Sequence, residues 1–563
     1  MKHKRVWLFI SLLIITSMLL AACGAGAATP TAPTTSTKDT YLSINFEQWG
    51  TWVRNFNPFS ADCLGSTLTA IYEPMMIYNK STGELVPWLA TDSTWNSDNT
   101  VLTFKLRPNV KWSDGEAFSA NDVIYTFDLL KANAALQGAA STVLTEFIDN
   151  YKALDDNHVE FTFKSVYTPA LYDIANQFIV PQHIWKDIAD PLTYTNENPV
   201  GTGPFTQVNK FEEQIYVLDK NPNYWQPGKP AFQGIRYPAY ADNDAANLAL
   251  VNGDLDWAGN FVPDIENVYV KKDPANFHYY FIGADTILLY INLAVKPFDN
   301  PEVRKAISMG INRQMIVETA MFNYIPPADA SGLGDTYAVW KDAAAVAAGT
   351  WVNYDVAKAN EMLDTVGLKK GSDGTRLDQD GKQMKYELIV PSGWTDWVSA
   401  AQIISQNMKD LGINITLTTP EENTDIDLVE KGDFQWAILW GNGGPTPFNF
   451  YRGQMSNLTV RPVGENAGEN FLRYANTQAD DLLVQFAQTS DLAAQKQIMG
   501  QIEMLFVTEA PALPLFPGPD WYEFNTTRFT NFPTKENNYA PGVPWPNGPY
   551  NTALIVLTSI TPK

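Results

Sequence analysis

The sequence predicts a mixed α/β protein with more than one domain. Segments in which apolar residues recur with the 3.6-residue period of a helix alternate with segments of residue-by-residue alternation, which is typical of half-buried strands. The chain has 563 residues, and chains longer than about 250–300 residues usually divide into several domains. After its first 20 residues the sequence shows no further long apolar run and no internal repeat.

Helix start signals mark the first part of this alternation. Residues 119–122 (Ser-Ala-Asn-Asp) have the spacing of a capping box, and Val123, Phe127 and Leu130 then share one helical face. Residues 300–302 (Asn-Pro-Glu) supply a cap, a first-turn proline and an acid, which together predict a second helix.

The same reasoning extends toward the C-terminus. Apolar residues between 401 and 411 predict a helix that ends before Gly412, and the alternating residues 413–417 predict a strand directly after it. Thr477 opens a further helix. The tail after Pro511 is rich in Pro, Gly, Trp and Asn, and we expect irregular structure there.

The N-terminus has the charge and polarity order of a secretory signal. Three basic residues among the first five precede the apolar run 6–20, which is shorter than the roughly 20 residues needed to span a bilayer. Residues 20–23 (Leu-Ala-Ala-Cys) resemble the lipobox of bacterial lipoproteins, which implies cleavage before Cys23 and acylation of that cysteine. We therefore predict a signal peptide at 1–22 and a lipidated cysteine with a flexible tether at 23–38.

An ordinary signal peptide with an incidental cysteine is the alternative. In either case the protein is expected in the cell envelope, at the outer face of the cytoplasmic membrane or in the periplasm. The lipid would be its only hold on the membrane.

The composition favours a neutral ligand over a nucleic acid. The formal net charge is −23, so the body repels polyanions and no nucleic-acid partner is expected. Only 18% of the residues are charged, whereas 17 Trp, 25 Tyr and 29 Phe are present, a balance that suits uncharged, partly apolar ligands. Apart from Cys23, Cys63 is the one cysteine in the sequence, so we expect no intramolecular disulfide. We expect a monomer.

Several motifs resemble a known family. The stretches 103–116 (TFKLRPNVKWSDGE) and 118–123 (FSANDV) closely resemble the signature of the extracellular solute-binding proteins, family 5. Residues 199–205 (PVGTGPF), 221–225 (NPNYW) and 301–306 (PEVRKA) match further family motifs in the family's order. These proteins bind oligopeptides, dipeptides, nickel or oligosaccharides for ATP-binding-cassette (ABC) importers.

The resemblance implies a fold and a mode of action. The fold would be two-lobed and periplasmic-binding-protein-like (type II, cluster C), with an extra subdomain on lobe I. The ligand would lie between the lobes and shift the population toward a closed form for delivery to ABC permease subunits. Such a protein needs no cofactor or metal and is not an enzyme. The implied boundaries are 39–70, 200–290 and 512–563 for lobe I, 71–199 for the subdomain and 291–511 for lobe II.

The resemblance also bears on the ligand class. Peptide binders of this family usually hold the peptide ammonium with an aspartate, and Asn442 stands where we expect that acid. An amide cannot neutralise a buried ammonium, but it both donates to and accepts from a hydroxyl. Segments 48–59 and 443–452 resemble the branch that binds cello-oligosaccharides. We therefore predict a neutral, β-linked oligosaccharide, with an oligopeptide or dipeptide as the alternative.

A sugar ring packs its apolar face on an indole and needs polar partners at its rim. Core packing is the alternative for every tryptophan, and Trp49 and Trp440 are favoured because both lie in family segments that line the cleft. The candidate platforms are Trp49, Trp52, Trp257, Trp394, Trp397 and Trp440, and the candidate polar partners are Asn55, Asn260, Asn442, Tyr451 and Arg452.

Enzymatic function was weighed from the motifs. The four histidines are scattered, and the sequence contains no H-E-x-x-H, G-x-S-x-G or P-loop pattern. Acidic residues are abundant, so a secreted glycan hydrolase with paired carboxylates is not excluded by motif alone. The family resemblance argues against it.

Overall fold

The computed structural model describes residues 39–46, 50–60, 62–545 and 551–563. The expected signal peptide at 1–22, the lipidated Cys23 and the tether at 23–38 lie outside the described residues, as does Trp49. Those predictions are therefore not tested by the coordinates.

A seven-stranded sheet forms the centre of lobe I. Its first strand in the chain runs parallel to both of its neighbours, whereas every other pair in the sheet is antiparallel. In spatial order the strands are Phe277–Tyr279, Glu523–Asn525, Trp257–Ala258, Tyr41–Asn45, Gly234–Pro238, Ile215–Lys220 and Phe205–Glu212. The accompanying helices are Thr67–Ile71 (π), Asn243–Asn252, Ile265–Val268, Val270–Lys272 (3₁₀) and Ala553–Leu557.

The subdomain packs a helix on a four-stranded antiparallel sheet. The capping box predicted at Ser119 is present, because Asp122 accepts from the Ser119 amide and the Ser119 hydroxyl caps the first turn. Val123, Phe127 and Leu130 are buried as predicted, and the Phe127 ring lies 4.8 Å from that of Phe161.

The strands of this sheet are Ala90–Trp95, Val101–Leu106, His158–Phe163 and Ile148–Asp155, beside the hairpin Met76–Asn79 and Glu84–Pro87. The subdomain helices are Ala120–Ala132, Ser141–Glu146, Ala170–Ala175 and Gln182–Trp185.

A five-stranded sheet forms the centre of lobe II. Its first three strands are parallel, and the last two run antiparallel to their neighbours. In spatial order they are Asn414–Thr418, Lys385–Ile389, Trp436–Trp440, Ile282–Ile291 and Leu513–Asp520.

The helices around this sheet cover the rest of lobe II. They are Pro301–Met309, Arg313–Thr319, Asp335–Tyr337 (3₁₀), Ala343–Ala348, Thr350–Val352 (3₁₀), Val356–Thr365, Thr395–Asp410, Glu422–Lys431, Phe448–Met455, Asn457–Thr459 (3₁₀), Thr477–Ala487 and Leu492–Glu509.

The predicted helix ends agree with the structure. The Asn300 side chain accepts from the Glu302 amide at 3.0 Å, and Pro301 begins the helix. Gly412 follows the helix Thr395–Asp410 with φ +76°, a conformation that glycine adopts without steric cost. The strand predicted at 413–417 is found at Asn414–Thr418.

The expectation of an irregular tail is wrong in part. Leu513–Asp520 is an eight-residue strand, and it pairs along Ile282–Ile291. Three of its residues are prolines, which a strand tolerates when one side has no partner, and this strand lies at the sheet edge. The final segments add Glu523–Asn525 to lobe I and pair Phe529–Thr530 with Thr561–Pro562.

Sheet membership also bears on the expected lobe boundaries. The boundaries at 290/291 and 511/512 would assign Ile282–Ile291 and Leu513–Asp520 almost entirely to lobe I. Both strands instead belong to the lobe II sheet. We therefore propose boundaries near 281 and 521, where the strands of one sheet end and those of the other begin.

The chain crosses between the lobes twice at this place. Tyr280 and Phe281 lead from lobe I into lobe II, and Trp521 and Tyr522 lead back. The Phe281 and Trp521 rings meet edge to face with centroids 4.8 Å apart. The two linkers therefore pack on each other.

Tyr324 of lobe II packs on these linkers, and Phe281, Trp521 and Tyr324 together form what we call the aromatic hinge. The Tyr324 ring lies 5.4 Å from that of Phe281. Its hydroxyl donates to the Val262 carbonyl at 2.8 Å and accepts from the Ile265 amide at 2.9 Å, both in lobe I. The hinge thus carries direct hydrogen bonds between the lobes.

Among the described residues, no helix has the length and apolar character that crossing a membrane requires.

A buried arginine fastens the edge strand of lobe II to its helices. Arg313 donates to the carbonyls of Pro514, Ser308 and Val352 at 2.6, 3.0 and 3.1 Å. Burial lowers the pKa of its guanidinium to about 9. The hydrogen bonds compensate for burying the charge.

Arg313→Leu should lower the free energy of unfolding by about 3 kcal/mol, because three buried carbonyls lose their donor. Urea denaturation followed by circular dichroism measures this loss. Arg461→Leu is the control, since Arg461 is exposed and bonds only to carbonyls of its own loop. Its effect should stay within about 0.5 kcal/mol. Equal losses in both variants would contradict the role of Arg313.

Candidate functional site

A cavity of about 650 Å³ lies where lobe I, the subdomain and lobe II meet. Lobe I contributes residues between 58 and 68, and the subdomain contributes residues from 137–142 and 173–178. Lobe II supplies residues between 442 and 469. Cavities of this size hold small ligands, and a site between lobes can bind and release them as the lobes move.

An ion pair forms part of the wall on the lobe II side. Arg452 lies on the helix Phe448–Met455 and is 9% exposed. Its Nη2 lies 2.8 Å from Oε1 of Glu469. Its Nη1 lies 3.4 Å from the hydroxyl of Tyr167, which belongs to the subdomain. The pair therefore faces the cavity and touches the opposite wall.

A second carboxyl enters the cavity from the subdomain. Asp173 lies on the short helix Ala170–Ala175 and lines the cavity. Burial raises its pKa to about 7, Arg452 opposes that rise and Glu469 adds to it. Within the part of the chain that the structure describes, its carboxyl has no hydrogen-bond partner.

Asn442 lies in the same wall, as the sequence predicted. Its Nδ2 makes a long contact of 3.5 Å to the Gly468 carbonyl. Its Oδ1 is buried and accepts no hydrogen bond from any residue that the structure describes. An amide oxygen in this state is available to a hydroxyl or amine. Its role as a ligand contact remains a prediction.

Three predicted platforms form one tryptophan cluster, which consists of Trp394, Trp397 and Trp440. The Trp394 and Trp397 centroids are 4.6 Å apart, and Trp440 lies 5.9 and 6.2 Å from them. Trp440 is 38% exposed, whereas Trp397 is buried. Strand Trp436–Trp440 and the start of helix Thr395–Asp410 position the cluster.

The tryptophan cluster adjoins two cavities through its chain neighbours. Trp440 stands two residues before Asn442, which lines the large cavity. Trp394 follows Gly393, which lines a second interlobe cavity of about 430 Å³ together with Gly50 and Asp242 of lobe I. Residues next to the cluster in the chain therefore line two interlobe cavities.

The two other described tryptophan candidates belong to the core. Trp52 is buried, donates to the Tyr237 carbonyl at 3.0 Å and packs edge to face on Tyr216 at 5.3 Å. Trp257 is also buried and donates to the Gly542 carbonyl. Their indole faces are covered by protein, so they offer no platform.

Three predicted polar partners also have structural roles. Asn55 donates to Ser60 and accepts from the Asn57 amide, which shapes its own loop. Asn260 is fully buried, and its backbone N–H donates to the Glu523 carboxylate. Tyr451 is fully buried and donates to the Ser331 carbonyl. Of the five predicted polar partners, the structure brings Asn442 and Arg452 to the cavity.

Sequence reasoning missed the polar residues from other segments. Asp173, Glu469 and Gln177 line the cavity and stand in none of the quoted motifs, whereas Asn449 lies in the quoted segment 443–452 but is not among the candidate residues. The one weak signal was Asp173, an acid within the otherwise uncharged helix Ala170–Ala175.

Comparison with known proteins agrees with this architecture. Residues 84–459 match the model of the bacterial extracellular solute-binding proteins, family 5 (middle). A glutathione-binding protein of Pectobacterium atrosepticum is 25% identical over 89% of this chain and 93% of its own. The oligopeptide-binding protein of Bacillus subtilis is 25% identical over 91% and 94%.

Among solved structures, a periplasmic oligopeptide-binding protein of an oligopeptide ABC transporter from Thermotoga maritima has a TM-score of 0.85. It was solved with bound mannohexaose. It is 27% identical, and the superposition covers 93% of this chain and 99% of that one.

The Arg452–Glu469 ion pair in the cavity wall should show a measurable coupling free energy. A double-mutant cycle of Arg452→Ala and Glu469→Ala should give a coupling free energy of about 1–3 kcal/mol, because both side chains are largely buried. Urea denaturation of the four proteins measures it. The exposed pair Lys358 and Glu361 is the matched control and should give about 0.3 kcal/mol. Equal coupling in both cycles would contradict this assignment.

Proposed function

We propose a neutral oligosaccharide as the cargo of this chain, which belongs to the bacterial extracellular solute-binding proteins of family 5 and is a substrate-binding protein of an ABC importer. The ligand would lie between the lobes, along the tryptophan cluster, and pass to the permease when the lobes open. The family consists of binding proteins, so no glycan hydrolysis is proposed.

The observation that carries this proposal is the tryptophan cluster beside the polar cavity. An elongated ligand with apolar faces and a hydroxyl rim matches the partly exposed indoles of Trp394 and Trp440 together with the polar cavities that their chain neighbours line. The Thermotoga maritima protein, with 27% identity and the same fold, holds a hexasaccharide. That similarity supports a sugar in this chain.

The polar groups of the large cavity would select the sugar's rim. The Oδ1 of Asn442 accepts from a hydroxyl, and the guanidinium of Arg452 donates to one. Because Glu469 pairs with Arg452, these two side chains together offer donors and acceptors without a net charge. Arg461 also lines the cavity, where it is exposed and donates to the carbonyls of Leu458 and Val460. The paired groups suit hydroxyls better than carboxylates.

A peptide is the second candidate, and a specific observation favours it. Asp173 brings to the cavity a carboxyl without a hydrogen-bond donor among the described residues, so an ammonium would find a counter-charge there. The Bacillus subtilis relative is an oligopeptide-binding protein. Ligand measurements separate the two candidates.

Isothermal titration calorimetry with cellobiose, longer β-glucans, mannohexaose and an oligopeptide set should show binding of an oligosaccharide and none of the peptides. Trp440→Ala should weaken that binding by about 1–3 kcal/mol, or about 5- to 150-fold, because one stacking face is lost.

The control for this experiment is Trp340→Ala, because Trp340 is a half-buried lobe II tryptophan that packs on Phe486 and does not belong to the tryptophan cluster. Its affinity should match that of the unchanged protein. Tight peptide binding without a sugar response would overturn the proposal, and full affinity in Trp440→Ala would return Trp440 to a structural role.

We also propose that Cys23 carries the lipid that holds the protein at the outer face of the membrane. The Cys23→Ser variant should no longer incorporate radiolabelled palmitate and should leave the membrane fraction, since the acylated thiol is absent. Cys63→Ser is the control and should keep both properties. Palmitate incorporation that persists in Cys23→Ser would show that the lipid is attached elsewhere.

A further inference from the structure

Four ionisable side chains meet where the subdomain touches lobe II. Tyr167 and Asp173 lie on the subdomain, and Arg452 and Glu469 lie on lobe II. Arg452 contacts Glu469 at 2.8 Å and the Tyr167 hydroxyl at 3.4 Å. The group therefore spans the seam between the two bodies.

Backbone contacts cross the seam at the same place. The Thr168 amide donates to the Ala487 carbonyl of lobe II at 2.8 Å. The neighbouring Tyr167 ring packs edge to face on Phe448 with centroids 6.1 Å apart. The Thr168 hydrogen bond exists only while the subdomain and lobe II are in contact, so its amide reports closure.

Asp173 is the member of the group that no protein donor satisfies among the described residues. Its surroundings at the seam include the Arg452–Glu469 pair of the opposite body. Separation of the bodies would return its carboxyl to water. Cys63 and Arg461 are the other titratable side chains in this cavity wall, and Arg461 is exposed at the rim and bonded within its own loop.

We propose that closure of the subdomain onto lobe II takes up a proton from solvent at Asp173, so that the closed form is favoured as pH falls. This rests on the proposed function, because closure is the step that captures the ligand. With Asp173 ionised, the seam group carries one net negative charge beside Tyr167. With Asp173 protonated, Arg452 and Glu469 balance, and the new O–H can donate to a ligand oxygen.

The direction of the pH dependence of closure follows from the two environments of the Asp173 carboxyl. In the described structure burial raises the pKa of Asp173 to about 7, and exposure of the carboxyl in an open form would return its pKa toward the ordinary value. Above about pH 7 the closed form carries the cost of holding an ionised, partly buried carboxyl. Below that value closure binds a proton, and the closed-to-open ratio rises up to tenfold per pH unit until the open form is protonated as well.

Amide hydrogen exchange of the ligand-free protein tests this directly. The protection factor of the Thr168 amide, corrected for the intrinsic exchange rate, should rise about tenfold or more between pH 8 and pH 6. Asp173→Asn should remove this dependence and leave protection at pH 8 as high as at pH 6. Glu469→Gln should move the midpoint to lower pH, because a negative charge near Asp173 is removed.

The matched control is Glu503→Gln. Burial also raises the pKa of Glu503 to about 7, but this residue lies inside lobe II, where it accepts from the Asp342 amide. Its variant should keep the pH dependence of Thr168. A flat profile in the unchanged protein, or an unchanged slope in Asp173→Asn, would overturn the proposal. Because no ligand is added, failure to bind sugars leaves this test unaffected.

Discussion

The pairing of strands Ile282–Ile291 and Leu513–Asp520 is the constraint on which the rest of the structure depends. Both belong to the lobe II sheet, yet each continues within three residues into a strand of the lobe I sheet. Lobe II is thereby inserted into lobe I through two adjacent linkers. Both chain crossings between the lobes lie at this place, which is where a hinge motion would occur.

The aromatic hinge follows from this arrangement. The linker residues belong to neither sheet, so sheet packing does not bury their side chains. Phe281, Trp521 and Tyr324 are instead covered by contacts between their own rings. Ring contacts tolerate small rotations better than a ladder of hydrogen bonds does, because their attraction is weakly directional. The hinge is therefore stabilised by ring packing that still permits small rotations.

Local features of the fold could be predicted from the sequence because their causes are local. The caps at Ser119 and Asn300 and the stop at Gly412 depend on neighbours within a turn. The strand Leu513–Asp520 could not, because its prolines oppose a strand locally and are tolerated only at an edge that forms through pairing some 220 residues away. The proposed shift of the lobe boundaries has the same cause, because it depends on which sheet these strands join.

The residues of the candidate site show the same contrast between local and long-range causes. Trp440 and Asn442 came from family segments, and in the structure Trp440 is 38% exposed and Asn442 lines the large cavity. Trp52 lies in such a segment too, yet Tyr216 and Tyr237 cover it, and no pattern in the sequence around Trp52 indicates that. Asp173 owes its raised pKa mainly to burial, which Arg452 opposes and Glu469 reinforces. Burial and electrostatics created by tertiary contact are invisible in single-sequence spacing.

The lobe I sheet has a consequence for the order of assembly. Its N-terminal strand Tyr41–Asn45 pairs with Trp257–Ala258, whose other neighbour, Glu523–Asn525, lies near the end of the chain. The helix Ala553–Leu557 then packs against Thr67–Ile71, again joining the last residues to the first. Lobe I therefore cannot be completed until nearly the whole polypeptide has been made. In a chain that crosses a membrane before it folds, such a topology delays premature folding, because the first strand of the sheet cannot complete its pairing until the last strand is available.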